Sequence, residues 1–75
     1  MLDQAQHNAL RTFTTLENAG ESAEASGRWE QAAEYYEAAA LIHREIAGAD
    51  PLTSDRLIRK AGILRDQISP AANRA

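Results

Sequence analysis

Apolar or small residues return every three or four positions along most of this chain, and the pattern is interrupted at Ser26-Gly27 and again from Gly48 to Pro51. Such spacing keeps side chains on one face of a helix. No segment alternates apolar and polar residues as a half-buried strand would. The spacing therefore predicts an all-α fold of three helices. The first runs over about 3–25, with Leu2, Ala5, Ala9, Phe13, Leu16, Gly20 and Ala23 as its stripe and Asp3 as a candidate cap. The second runs over about 29–47, with Trp29, Ala32, Ala33, Tyr36, Ala39, Ala40, His43 and Ile46 along one side. Glu30, Glu34, Glu37 and Arg44 lie on its wet sides. The third runs over about 54–69, capped by Thr53 or Ser54, with Leu57, Ala61, Leu64 and Ile68 inward. Gly27 and Gly48 are stops, Pro51 forbids continuation of the second helix, and Pro70 ends the third. Residues 71–75 read as a frayed tail. Short connections turn each helix back on the one before, so residues 1–70 are expected to form one three-helix antiparallel bundle.

A chain of 75 residues makes one small domain, and it buries only about 60 % of the surface its unfolded chain exposes. Such domains lean on disulfides, a metal or a partner. There is no cysteine, which removes disulfides and thiolate metal sites. Self-association or docking on another protein remains as reinforcement. Alanine dominates, which favours helices because it loses the least side-chain entropy in one. Positive charge sits almost wholly on arginine, with Lys60 the lone lysine, a usage that fits a bacterial, GC-rich genome. No run of about twenty apolar residues exists to span a membrane, and the first residues lack the basic and apolar regions of a signal peptide. The default expectation is a cytoplasmic protein. The starting Met1 leads to the expectation that the chain is whole rather than cut from a longer one.

Sliding Ala19-Gly20 over Ala61-Gly62 puts Leu16 on Ile58, Thr12 on Ser54 and Gly27 on Ser69. The first and third helices thus share a cap, an apolar residue and an alanine-glycine pair. Glycine within a helix costs about 1 kcal/mol against alanine, so close approach of a neighbouring helix is the expected compensation at both glycines. Over Phe13 to Ile46 the sequence resembles one tetratricopeptide repeat. Ala19-Gly20 stands where that family has a leucine-glycine pair, Ala23 where a large aromatic is common, and Gly27 at the inter-helix turn. Trp29, Ala32, Tyr36 and Ala39 follow at the second helix's aromatic and alanine positions. The long period and the Ala47-Gly48-Ala49-Asp50-Pro51 turn are similar to the kinesin-light-chain variant, and Ala61 to Arg65 looks like the start of a next repeat. Two departures stand out. Arg44 replaces the usual proline, and the second repeat stops after one helix, whereas arrays need about three repeats for stability. A three-helix domain of the microtubule-interacting-and-transport kind is the rival resemblance.

Little in the chain suggests catalysis. It has no cysteine nucleophile, no glycine-rich phosphate loop and no His-Glu-x-x-His motif. His7 and His43 stand on different helices, and a lone helical histidine is more often packed or solvated than a metal ligand. No enzyme activity, cofactor, metal or small-molecule substrate is expected. Three bases on one helix of a chain with net charge -3 neutralise too little phosphate for nucleic acid.

Charge is unevenly spread. Residues 1–50 hold nine acids against three arginines, and residues 51–75 hold five bases against two acids. Glu17, Glu21 and Glu24 stack on one face of the first helix, the face that the resemblance assigns to a ligand groove. Arg56, Arg59, Lys60 and Ile63 take the matching places on the third. Two readings stay open: the rows pair across a seam between neighbouring helices, or the basic row grips an acidic partner with Ile63 as anchor. Tyr36 is expected in the core, with Tyr35 turned partly outward and Trp29 a lid. Only Pro70 and a short tail follow the third helix in this sequence, so Ile58, Ile63, Leu64 and Ile68 are not all expected to be satisfied by the hairpin beneath. Apolar surface of that kind marks an interaction site. The sequence thus points to a protein-binding module, an adaptor or inhibitor, docking a partner through Arg56, Arg59, Lys60, Ile58, Ile63 and Ile68. The alternative is a homodimer that pairs third helices about a two-fold axis.

Overall fold

The computed structural model of the chain describes residues 4–46 and 48–67. Among them are three α-helices and no strand: α1 (Gln4–Ala25), α2 (Trp29–Arg44) and α3 (Pro51–Asp66). Leu2, the Asp3 cap, Ile68, Pro70 and the tail lie outside the described residues. No helix among the described residues is long and apolar enough to cross a membrane.

The turns explain where each helix stops. After α1, Gly27 takes a left-handed φ of 76°. Its N–H donates to the Glu24 carbonyl at 3.0 Å, and the Arg28 N–H donates to the Ala23 carbonyl at 2.9 Å. This paired arrangement satisfies carbonyls that the helix end leaves open and needs a residue without a Cβ at the left-handed position. The second helix ends three residues before the expected Ala47. The Glu45 and Ile46 N–H groups turn back to Ile42 and His43, and Gly48, again at φ 76°, redirects the chain.

The start of α3 corrects the sequence expectation. Its cap is Asp50, whose carboxylate accepts from the Leu52 N–H at 2.9 Å, not Thr53 or Ser54. Pro51 is the first helical residue, where its fixed φ helps and its missing N–H costs nothing. The proline that stops one helix therefore begins the next, and Leu52 belongs to α3 rather than to a linker. Ser54 is instead a buried polar contact. Its hydroxyl donates to the Pro51 carbonyl at 3.0 Å and accepts from Arg44 Nε at 3.4 Å.

The middle helix is covered on two sides. Ala32, Ala33, Ala39 and Ala40 are wholly buried, and small side chains there let α1 and α3 both approach. Both neighbours run antiparallel to α2. Phe13 meets His43 with ring centres 4.8 Å apart, while Arg44 meets Ser54 and Arg65 meets Glu37. Among the described residues α1 and α3 make no backbone contact with each other. They flank α2 rather than pack side by side. An alanine methyl contributes about 0.8 kcal/mol on burial, against about 1.5–3 kcal/mol for a large apolar side chain. Tyr36, Leu57 and Leu64 therefore carry much of the core, with Phe13, Leu16 and Trp29 packed partly buried around them.

The two alanine-glycine pairs are not equivalent in packing. A methyl on Gly20 would stand 2.8 Å from Tyr36 Cε1 and 3.0 Å from two more ring carbons, so this glycine makes room for the buried ring. A methyl on Gly62 meets no heavy atom within 4 Å among the described residues, so the close approach expected there is absent. Opposite effects follow. Gly62→Ala should stabilise the fold by about 0.5–1 kcal/mol through helix propensity. Gly20→Ala should destabilise it by about 1–2 kcal/mol, because the cost of overpacking outweighs the same propensity gain. Urea denaturation followed by circular dichroism measures both.

Candidate functional site

Two of the expected site residues, Glu24 and Lys60, are joined by Tyr36 in one cluster at the end of α1. Tyr36 comes up from α2 into the space between α1 and α3 and is 3 % exposed. Its hydroxyl donates to Glu24 Oε1 at 2.9 Å. The other oxygen of Glu24 lies 3.2 Å from Lys60 Nζ, which also stands 6.0 Å from the centre of the Tyr36 ring. One carboxylate on α1 thus receives a phenol from α2 and an ammonium from α3. This side-chain bridge ties together two helices whose backbones do not touch.

Beside the bridge opens a cleft of about 220 Å³. Glu17 and Glu21 line it from α1, Arg56 and Lys60 from α3, and Tyr36 and Leu57 form its apolar floor. The two charged rows therefore face each other, but only Glu24 and Lys60 close to ion-pair distance. Among the described residues Glu17, Glu21, Arg56 and Arg59 form no ion pair. One pair crosses the seam, and among the described residues the other charges of the two rows have no ion-pair partner.

The apolar residues of α3 divide differently from expectation. Leu57, Ala61 and Leu64 face the core. Ile58 is 40 % exposed and Ile63 52 % exposed, so the hairpin leaves both uncovered. They do not form one patch, however, because five residues turn a helix by about 140°. Ile63 lies beside Arg56 and Arg59 on the outward side. Ile58 lies on the opposite flank, near Arg65, which bonds to Glu37 and lies 3.4 Å from Glu30. The companion of Ile63 is instead Leu52, 65 % exposed, which the sequence reading left in a linker. The spacing Leu52, Arg56, Arg59, Ile63 was the available signal once Asp50-Pro51 is read as a helix start.

Of the other aromatics and the histidines, Trp29 and His43 take structural places. Trp29 packs over the edge of the core, and Tyr35 is turned outward. His43 packs against Phe13, and its Nδ1 is buried with no hydrogen-bond partner among the described residues. His7 is exposed. Among the described residues no group of three or more His, Asp or Glu side chains is placed to hold a metal ion.

Burial, first, and then the hydrogen bond to Glu24 and the charges of Glu24, Glu21 and Glu17 hold the Tyr36 phenol above its ordinary value of 10.0. The folded chain keeps this proton more tightly than the unfolded chain does. The stabilisation is whole below pH 10.0 and is lost as pH rises beyond it. Tyr36→Phe should cost about 1 kcal/mol at neutral pH by removing the bond to Glu24. The gap in stability between variant and wild type should then narrow in alkaline solution, as read from urea midpoints across a pH series.

Compared with known proteins, the chain matches no family model, no curated protein and no solved structure.

Proposed function

We propose that this chain is a non-enzymatic, tetratricopeptide-like protein-interaction module that holds a partner protein through the outward side of α3 and the cleft between α3 and α1. One observation carries the reading. Leu52 and Ile63 stand in water on a single stripe of α3, and the guanidinium groups of Arg56 and Arg59 between them have no carboxylate partner among the described residues. Apolar anchors flanked by unpaired charge are the composition of a docking surface, where burial supplies affinity and charge supplies orientation. An acidic partner segment is the complement of this stripe. The acidic wall at Glu17 and Glu21 sets a limit on where such a segment lies, because it repels acidic groups that stray into the cleft.

The second reading, a homodimer that pairs α3 with α3 about a two-fold axis, meets an electrostatic obstacle. Such a pair brings the same surface of both copies together. Arg56 and Arg59 of one copy would then face the same arginines of the other.

Ile63→Asp tests the docking surface. The side chain is half exposed and absent from the core. The variant should keep its helical circular dichroism and its urea midpoint to within about 0.5 kcal/mol. It should lose most of the binding that a tagged wild-type chain shows to a partner captured from its source cell. Unfolding would place Ile63 in the core, and undiminished binding would remove α3 from the interface.

A further inference from the structure

The cleft between α1 and α3 carries opposite charge on its two walls, Glu17 and Glu21 on one and Arg56 and Lys60 on the other. At one end the walls close, where Lys60 Nζ lies 3.2 Å from Glu24. Farther along they do not: Glu17, Glu21 and Arg56 reach no ion-pair partner among the described residues. The floor supplies the reason. The Tyr36 ring and Leu57, both buried, fill the bottom of the gap, and α1 and α3 make no backbone contact that would draw the walls together. Both carboxylates nonetheless act on this floor. After burial and the bond and charge of Glu24, the charges of Glu21 and Glu17 also raise the Tyr36 phenol.

The closed end shows the chemistry that the open part lacks. There an ammonium sits against a carboxylate and near an aromatic face, with Lys60 Nζ 6.0 Å from the Tyr36 ring centre. Glu21 and Glu17 repeat the carboxylate one and two turns back along the same face of α1, without such a cation. A uniformly acidic segment would be drawn to Arg56 and repelled by Glu17 and Glu21, and a uniformly basic one the reverse. We infer that the partner segment seated here is of mixed charge: a basic side chain enters beside Glu17 and Glu21 over the Tyr36–Leu57 floor, and an acidic side chain a few residues away lies on Arg56. The aliphatic stem of a lysine or arginine suits the apolar floor while its head meets the carboxylates. Charge of both signs fixes the direction in which the segment lies, which is what electrostatic complementarity supplies more than raw affinity. This inference rests on the reading of α3 and the cleft as the docking surface and names the chemistry of the occupant.

Short synthetic peptides of equal length and equal apolar content test it. In one set a lysine and a glutamate stand two to four residues apart, in either order; in two further sets both places are glutamate or both are lysine. Each is titrated at low salt into the isotope-labelled chain and followed by nuclear magnetic resonance. The best mixed peptide should bind about tenfold more tightly than any uniform one, with the largest shifts at Glu17, Glu21, Arg56 and Leu57. Replacing Glu17→Gln and Glu21→Gln together should abolish that preference and strengthen binding of the acidic peptides, while Arg56→Gln should weaken the mixed peptide. These changes leave the Glu24–Lys60 bridge in place, and circular dichroism confirms that each variant is folded. The inference is overturned if acidic peptides bind the wild-type chain as tightly as the best mixed one, if the paired glutamine changes leave the preference intact, or if no peptide binds. In each of those cases the docking role of α3 is decided separately, by whether Ile63→Asp abolishes binding of the captured partner.

Discussion

The close fit of Tyr36 against Gly20 governs the rest of this small domain. With alanines at 32, 33, 39 and 40 wholly buried, α2 has almost no bulk of its own on its inner side. The one large side chain there needs the space that a missing Cβ provides on α1. Tyr36 in turn reaches between the flanking helices, supplies the floor of the cleft and orients Glu24 toward Lys60. Besides the packing of that ring, the described link between α1 and α3 is the Glu24–Lys60 ion pair, since their backbones make no contact.

Electrostatics then decides which charges are structural and which remain available. Among the described residues three ion pairs knit the helices: Lys60 with Glu24 across the cleft, and Arg65 with Glu30 and Glu37 along the α2–α3 seam. Exposed pairs of this kind contribute about 0–1 kcal/mol each, so their weight lies in setting helix register more than in stability. Arg56 and Arg59 stand apart from these pairs. Arg59 projects from the far side of α3 and Arg56 from the edge of the cleft, between two apolar side chains that no described residue covers. A domain with so small a core gains in proportion when such a stripe is buried, because a few kcal/mol is a large share of its total stability.

Much of this architecture was legible in the residues. The stripes at Phe13-Leu16-Gly20-Ala23 and Leu57-Ala61-Leu64 identify the inward faces of α1 and α3, and Gly27 marks the first turn. The opposition of acidic and basic rows was also visible, as was the surplus apolar surface on the last helix. The start of α3 was misread because proline was weighed only as a helix breaker. At the first helical position, after an aspartate cap, it is a helix starter, and that error hid Leu52. Grouping Ile58 with Ile63 failed for a related reason: both are apolar and unburied, yet the helical turn between them sends them to opposite flanks. Ile68, the third member of that group, lies outside the described residues.

Sequence alone determined the helix count, the antiparallel order and the segregation of charge, because periodicity and turn chemistry act over a few residues and need no knowledge of what lies across the fold. Only the tertiary structure decided that Gly20 is required and Gly62 is not, that Glu24 and Lys60 close while Glu17 and Arg56 stay apart, and that Tyr36 joins three helices. These outcomes depend on distances between residues far apart in the chain. Such distances are set by how closely α1 and α3 each settle on α2, and no local pattern encodes them.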